Sequence, residues 1–218
     1  MSTVATSRSA VDGAFIRSRL GSFLSVFPLA VWTTVHLWHN LSALRDDGGE
    51  AWQKDVTEYA HPISFFVTCV VVLLPIVIHS VWGIARMFQT RPNLHRYGYF
   101  ANWKFILQRL SAIGLLLFLG AHLWLAWLHP RMSTGRAEPF HDIAHQMHHH
   151  GPTTAVYILG ILGIAYHLAN GMHTFLMGWG VVSSRAALQK LAFLSYLFFG
   201  VLLALGWGSV YALYEAGR

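Results

Sequence analysis

The sequence predicts an all-α membrane protein of a single domain, 1–218, with five transmembrane helices in a bundle, N-terminus inside and C-terminus outside. Three observations predict it. Hydrophobic residues make up 55% of the chain and charged ones 11%, with a mean hydropathy of +0.45, whereas soluble domains carry about 25% charged residues. Five apolar runs each exceed the roughly 20 residues that cross a hydrocarbon core of about 30 Å. Lys and Arg concentrate in alternate connections, as the positive-inside rule requires.

In chain order, residues 1–18 form a polar N-terminal tail, and helices are expected at about 20–44, 62–88, 104–129, 153–180 and 187–213. The first is too long for the apolar core of a signal peptide and lacks a convincing cleavage site. Pro62 and Pro152 sit where a helix can begin. Pro28 and Pro75 fall inside spans, where they kink the helix and neighbours satisfy the freed carbonyls. Trp52, Trp103, Trp127 and Trp179 lie near span ends, as interfacial anchors do.

Orientation follows from the cations. With the N-terminus inside, the inner segments hold Arg8, Arg17, Arg19, Arg86, Arg91, Arg96, Lys104, Arg109, Arg185 and Lys190, ten of the 15 Lys and Arg. The outer segments hold the rest and eight of the nine acidic residues. The formal charge of +6 is therefore a topology signal, and no nucleic-acid partner is expected. Cys69 is the one cysteine, which excludes disulfides, four-cysteine zinc sites and iron–sulfur clusters within the chain. The spans leave no room for a separate catalytic domain.

Fourteen histidines are the informative excess, and four lie inside spans, where an ionisable residue marks a functional site by default. His36 precedes the outer end of the first helix by eight residues, and His122 precedes Pro130, taken as just past the outer end of the third, by the same number. At about 1.5 Å per residue both sit roughly 12 Å below the outer face. His79 lies seven residues before Arg86, about 10 Å from the inner face, and His167 falls in the middle or inner half of the fourth helix. Depth thus gives two pairs on different helices: His36 with His122, and His79 with His167. Two imidazoles facing each other at one level are what bis-histidine ligation of a b-type haem iron requires. Gly83 and Gly171 each follow an inner histidine by four residues, on the same face, where a missing side chain leaves space for a porphyrin. A single such histidine can be satisfied by a hydrogen bond to a neighbouring helix; four at matched depths need a shared reason. His141, His145, His148, His149 and His150 resemble a metal-binding tract and are expected instead to form a solvated, pH-sensitive outer loop.

Four segments carry a family resemblance: RLGSFLSVFPLAVWTTVHLWHN, LPIVIHSVWGI, FANWKFILQRLSAIGLLLFLGAHLW and YILGILGIAYHLANGMHTFLMGWG. Together they resemble the single-chain di-haem cytochrome b anchor of succinate:quinone oxidoreductases, the respiratory complex II and fumarate reductase family. The resemblance implies five helices around two stacked b haems, His79 and His167 ligating the proximal one and His36 and His122 the distal one. It implies flavoprotein and iron–sulfur subunits docked on the inner membrane face, and a place in the inner (cytoplasmic) membrane as a multi-pass protein. The chain would do no succinate chemistry itself, passing electrons between the iron–sulfur subunit and a membrane quinone (menaquinone or similar). Arg109, Trp103 and Ser22 are the candidates for the haem propionates. Some fumarate reductases of the family carry a glutamate two residues before the fourth-helix ligand; here Ala165 stands there and cannot carry a proton.

A quinone site needs a titratable group beside an apolar slot. His39, Glu58, Tyr59 and His61, near the outer haem, are the candidates. Two other functions fit parts of the pattern. One is a di-haem anchor for a hydrogenase or formate dehydrogenase, which differs only in partner. The other is a haem-free transporter using the outer histidines.

Overall fold

Helical winding accounts for nearly all of residues 13–57 and 62–218, the residues that the computed structural model describes, and no strand occurs among them. Five helices are long and apolar enough to cross a membrane: α1 (Arg19–Leu44), α2 (Phe65–Gln89), α3 (Phe100–Thr134), α5 (Gly151–Gly178) and α6 (Arg185–Ala216). A sixth, α4 (Phe140–His149), lies between α3 and α5 in sequence and is amphipathic. The chain is a multi-pass membrane protein.

Prolines dictate where the spans unwind. Their rings clash with the carbonyl four residues back and supply no N–H, and a wider, π-type turn passes that carbonyl by. Such turns occur at Ser25–Ala30 around Pro28, at Cys69–Leu73 just before Pro75, and at Leu123–Leu128 just before Pro130. The third of these corrects the sequence-based boundary. Pro130 does not lie beyond the helix; the widened turn accommodates it and α3 runs on to Thr134. It stops at Gly135, whose φ of +72° is the left-handed helix end that glycine adopts without strain.

The expected outer histidine loop is also corrected, because it folds as α4. Ala144 and Met147 from that helix are buried against the C-terminal end of α6, and Met147 clusters there with Ala43, Trp52, Ile161, Val210, Ala212 and Leu213. Gly217 lies against the Ala144 carbonyl, where any Cβ would collide. The His148 ring bonds the Tyr214 carbonyl at 2.9 Å. His141, His145 and His149 form the exposed stripe of α4. Among the described residues no group of three metal-ligating side chains converges.

Within the bundle α5 is central, packing on α3 and α6 and touching α1, while α6 also lies along the C-terminal half of α1. Leu37, Ala165 and Leu202 meet at that junction with almost no exposure. By contrast, α2 leans mainly on α1, held where Trp82 packs flat on Gly21; a Cβ at Gly21 would enter that ring. Large apolar side chains such as Val81, Leu117, Leu159 and Phe193 face outward, the expected surface toward lipid rather than water.

Candidate functional site

The pair expected on the inner side, the inner couple, is built where α2 leans mainly on α1. His79 on α2 faces His167 on α5 with ring centroids 6.1 Å apart and planes crossed at 77°. Two ring nitrogens each about 2.0–2.1 Å from a shared metal ion put imidazole centroids roughly 6 Å apart, so the gap matches one bridging metal. The rings border a cavity of about 430 Å³ between α1, α2, α3 and α5. Gly83 and Gly171 line it; nothing lies within 4 Å of where a Gly83 Cβ would be, and at Gly171 only the Gln108 amide does, at 3.6 Å. The volume, the two bare glycines and the paired nitrogens fit a tetrapyrrole.

Ligation also needs the right tautomer, because the nitrogen that binds metal must be unprotonated. His79 Nδ1–H donates to the Gly21 carbonyl at 2.9 Å, which leaves Nε2 with its lone pair. For His167 the Gln108 amide donates to the histidine's own carbonyl at 3.1 Å and lies 3.2 Å from Nδ1. The Ser111 hydroxyl gives its proton to the Gln108 carbonyl at 3.0 Å and stands 3.3 Å from His167 Nδ1, so in the ligating tautomer its lone pair accepts Nδ1–H, whereas the Gln108 amide can donate to Nδ1 only in the other tautomer. Asn170 donates to Gln108 Oε1 at 2.8 Å and fixes that amide.

The outer pair, His36 on α1 and His122 on α3, has centroids 6.2 Å apart and planes at 66°, again the spacing of one shared metal. Aromatic rings crowd it. Trp32 stacks on His36 at 4.7 Å and Phe118 on His122 at 5.6 Å. His122 Nδ1 lies 3.0 Å from the Tyr157 hydroxyl. The Asn40 amide donates to the His36 carbonyl at 2.7 Å and only approaches Nε2, at 3.4 Å; its oxygen accepts the Trp52 indole N–H at 3.1 Å.

The remaining candidates divide by place. Ser22 and Arg109 line the inner cavity. Arg109 donates to the Met87 and Thr90 carbonyls and the Thr90 hydroxyl, its guanidinium 4.2 Å from the Phe105 ring centroid. Ser22 accepts from the Trp179 indole at 3.3 Å. Trp103 is half-exposed on α3 and is not among the cavity-lining residues. His39 is exposed near the C-terminal end of α1. Glu58, Tyr59 and His61 lie outside the described residues. Beside that segment, Arg131 donates to the Thr57 carbonyl at 3.3 Å, and the buried Trp127 indole N–H has no acceptor among the described residues.

Sequence reasoning missed Gly21, Ser111, Tyr157 and Asn40. All four lie inside the quoted segments, but Gly21 acts through its carbonyl and Tyr157 lies a long way from His122 in sequence. Only Gln108 and Asn170 carried a local signal, as the LQR and HxxNG runs.

A model of the succinate dehydrogenase/fumarate reductase transmembrane subunit matches residues 86–207, more than half of the chain. The chain belongs to that family. A relative from Bacillus subtilis (strain 168), the succinate dehydrogenase cytochrome b558 subunit, is 28% identical over 203 residues, covering 91% of this chain and 96% of the relative. No solved structure matches. The matched stretch takes in His122, His167 and the cavity wall of α3 and α5; His36 and His79 fall before it.

Proposed function

We propose that this family member anchors flavoprotein and iron–sulfur subunits of a succinate dehydrogenase or fumarate reductase to the cytoplasmic membrane and carries electrons between them and a membrane quinone. In this reading two b haems are held, one by His79 and His167 and one by His36 and His122. The observation that carries it is the pair of facing imidazole couples, 6.1 and 6.2 Å apart, each drawn from two different spans. The cytochrome b558 name of the Bacillus relative supports the haem type. When bound, such haems relay single electrons through the apolar interior.

The chain's own residues do the holding. Gly21 and Ser111 accept the inner Nδ1 protons and leave Nε2 of His79 and His167 free to ligate. Gly83 and Gly171 leave the plane of the cofactor open, and Arg109 and Ser22 stand at the cavity wall, where a propionate needs donors. The positive-inside bias puts Arg86, Arg91, Arg96 and Lys104 on the inner face, where the soluble subunits dock. Quinone would meet the outer couple, with His39, Glu58, Tyr59 and His61 as the groups able to exchange its protons.

Haem quantitation and reduced-minus-oxidised spectra on the purified complex test this, with each of the four histidines replaced by Ala in turn. Two haems per chain are expected, and losses group by pair: H79A and H167A empty one site, H36A and H122A the other. A wild-type chain without haem, or single losses that do not pair, overturns the assignment.

A further inference from the structure

We propose that Tyr157 is the positioning residue of the outer site: its hydroxyl accepts the Nδ1 proton of His122, aims Nε2 at the metal and sets the potential of the outer haem. The inference rests on the haem assignment above and adds a residue to it.

The geometry is specific. Tyr157 on α5 reaches across to α3 and places its oxygen 3.0 Å from His122 Nδ1. Its ring stands edge-on to His122, centroids 5.7 Å apart at 78°, and edge-on to Phe118 at 5.3 Å and 89°. Phe118 lies nearly parallel to His122 at 5.6 Å, so that the three rings form a triangle. That arrangement exists because residue 160, one turn after Tyr157, is glycine; a Cβ there would run into the Phe118 ring. Thus α5 supplies both the acceptor and the hollow that seats the stacking ring.

The chemistry follows from the direction of the bond. A ligating histidine that donates its second N–H is held in one tautomer and becomes a more basic ligand. A more basic ligand stabilises the oxidised iron and lowers the potential, one of the protein's levers on a haem. Other polar groups are poor substitutes at this histidine. The Asn40 amide is committed to the His36 carbonyl and Trp52, and no other hydrogen-bond partner of the His122 ring is present among the described residues.

Optical redox titration of the Tyr157→Phe complex tests it. Haem content stays at two per chain, the midpoint of one haem moves upward, and the other does not change. The moved component is the one that His122→Ala removes. Tyr157→Gln, which offers an acceptor oxygen again, brings the midpoint back toward wild type. An unmoved midpoint in Tyr157→Phe, or the same displacement in Tyr157→Phe and Tyr157→Gln, overturns the proposal, since packing alone would then account for it. Should Tyr157→Phe not accumulate, Tyr157→Gln decides: a wild-type midpoint upholds the proposal and a displaced one ends it. A failure of the haem assignment is recognised separately, because the His122→Ala complex would then keep both components.

Discussion

The inner and outer histidine couples have almost the same ring separation, 6.1 and 6.2 Å, yet they are held by different kinds of group. The inner rings are tied to a main-chain carbonyl, Gly21, and to a serine that is itself tied to the backbone. They border an open cavity with two bare glycines. In the outer couple the His122 ring is tied to a side chain, Tyr157, while Asn40 bonds the His36 carbonyl and not its ring, and Trp32 and Phe118 stack on the two rings. A site held by backbone changes little when single side chains are altered, whereas a site held by side chains can be tuned one residue at a time. The tie at His79, a main-chain carbonyl, is therefore the fixed one, while Ser111 at His167 and Tyr157 at His122 can each be altered by a single substitution.

Filling the inner cavity breaks the comparison most severely. Gly83→Leu puts a branched side chain into the space beside His79, where nothing lies within 4 Å of a Cβ. The leucine itself is well accommodated in an apolar span, so insertion should survive while the inner haem is lost. Haem per chain should fall from two to one, with the outer spectrum unchanged. Retention of both haems would show that the cavity is not where the cofactor lies.

Ser111→Ala is the next largest. It removes the acceptor for His167 Nδ1–H but leaves Gln108 and Asn170 in place. Loss of such a supporting partner typically weakens metal binding about 10- to 100-fold. Inner haem should wash out faster during purification than the outer one, measured as a time course of haem release. Equal release rates for the two would mean that Ser111 does not hold the ring.

Why the fold was legible and half of the site was not can be seen in these residues. Spans were legible because a bilayer demands long apolar runs and filters loop charge, and both leave marks in composition. Histidine pairing was legible because depth along a helix converts directly from residue number. The extension of α3 past Pro130 was not, because the turn that admits a proline has no sequence signature of its own. Nor was α4: the polar stretch of histidines hides Ala144 and Met147, whose partners on α6 lie far along the chain. Tyr157 was invisible for the same reason. Its role depends on which face of α5 meets α3, and an evenly apolar helix conceals that.

Gly160→Ala probes the outer couple by packing instead of hydrogen bonding. The added methyl meets Phe118, and overpacking of this kind costs about 1–3 kcal/mol. The thermal midpoint of the complex should drop and the outer haem spectrum shift, because Phe118 stacks on His122. An inner spectrum that shifts as much would contradict the independence of the two couples.

The smallest effect lies outside the membrane, at Glu138 between α3 and α4. Partial burial, reinforced by the neighbouring Asp142 carboxylate and offset in part by His129, pushes its carboxyl above the ordinary 4.5. A carboxyl whose pKa is raised by folding binds its proton more tightly in the folded chain, so ionisation costs stability. That cost is absent below the ordinary pKa, grows as pH rises through the raised one, and is full at neutral pH. Glu138→Gln removes it, so the thermal midpoint should rise slightly at neutral pH and not at all well below pH 4.5. The group is largely solvent-facing and screened, so the gain is small and shrinks with added salt. An equal gain at both pH values would point to packing around Glu138, not its charge.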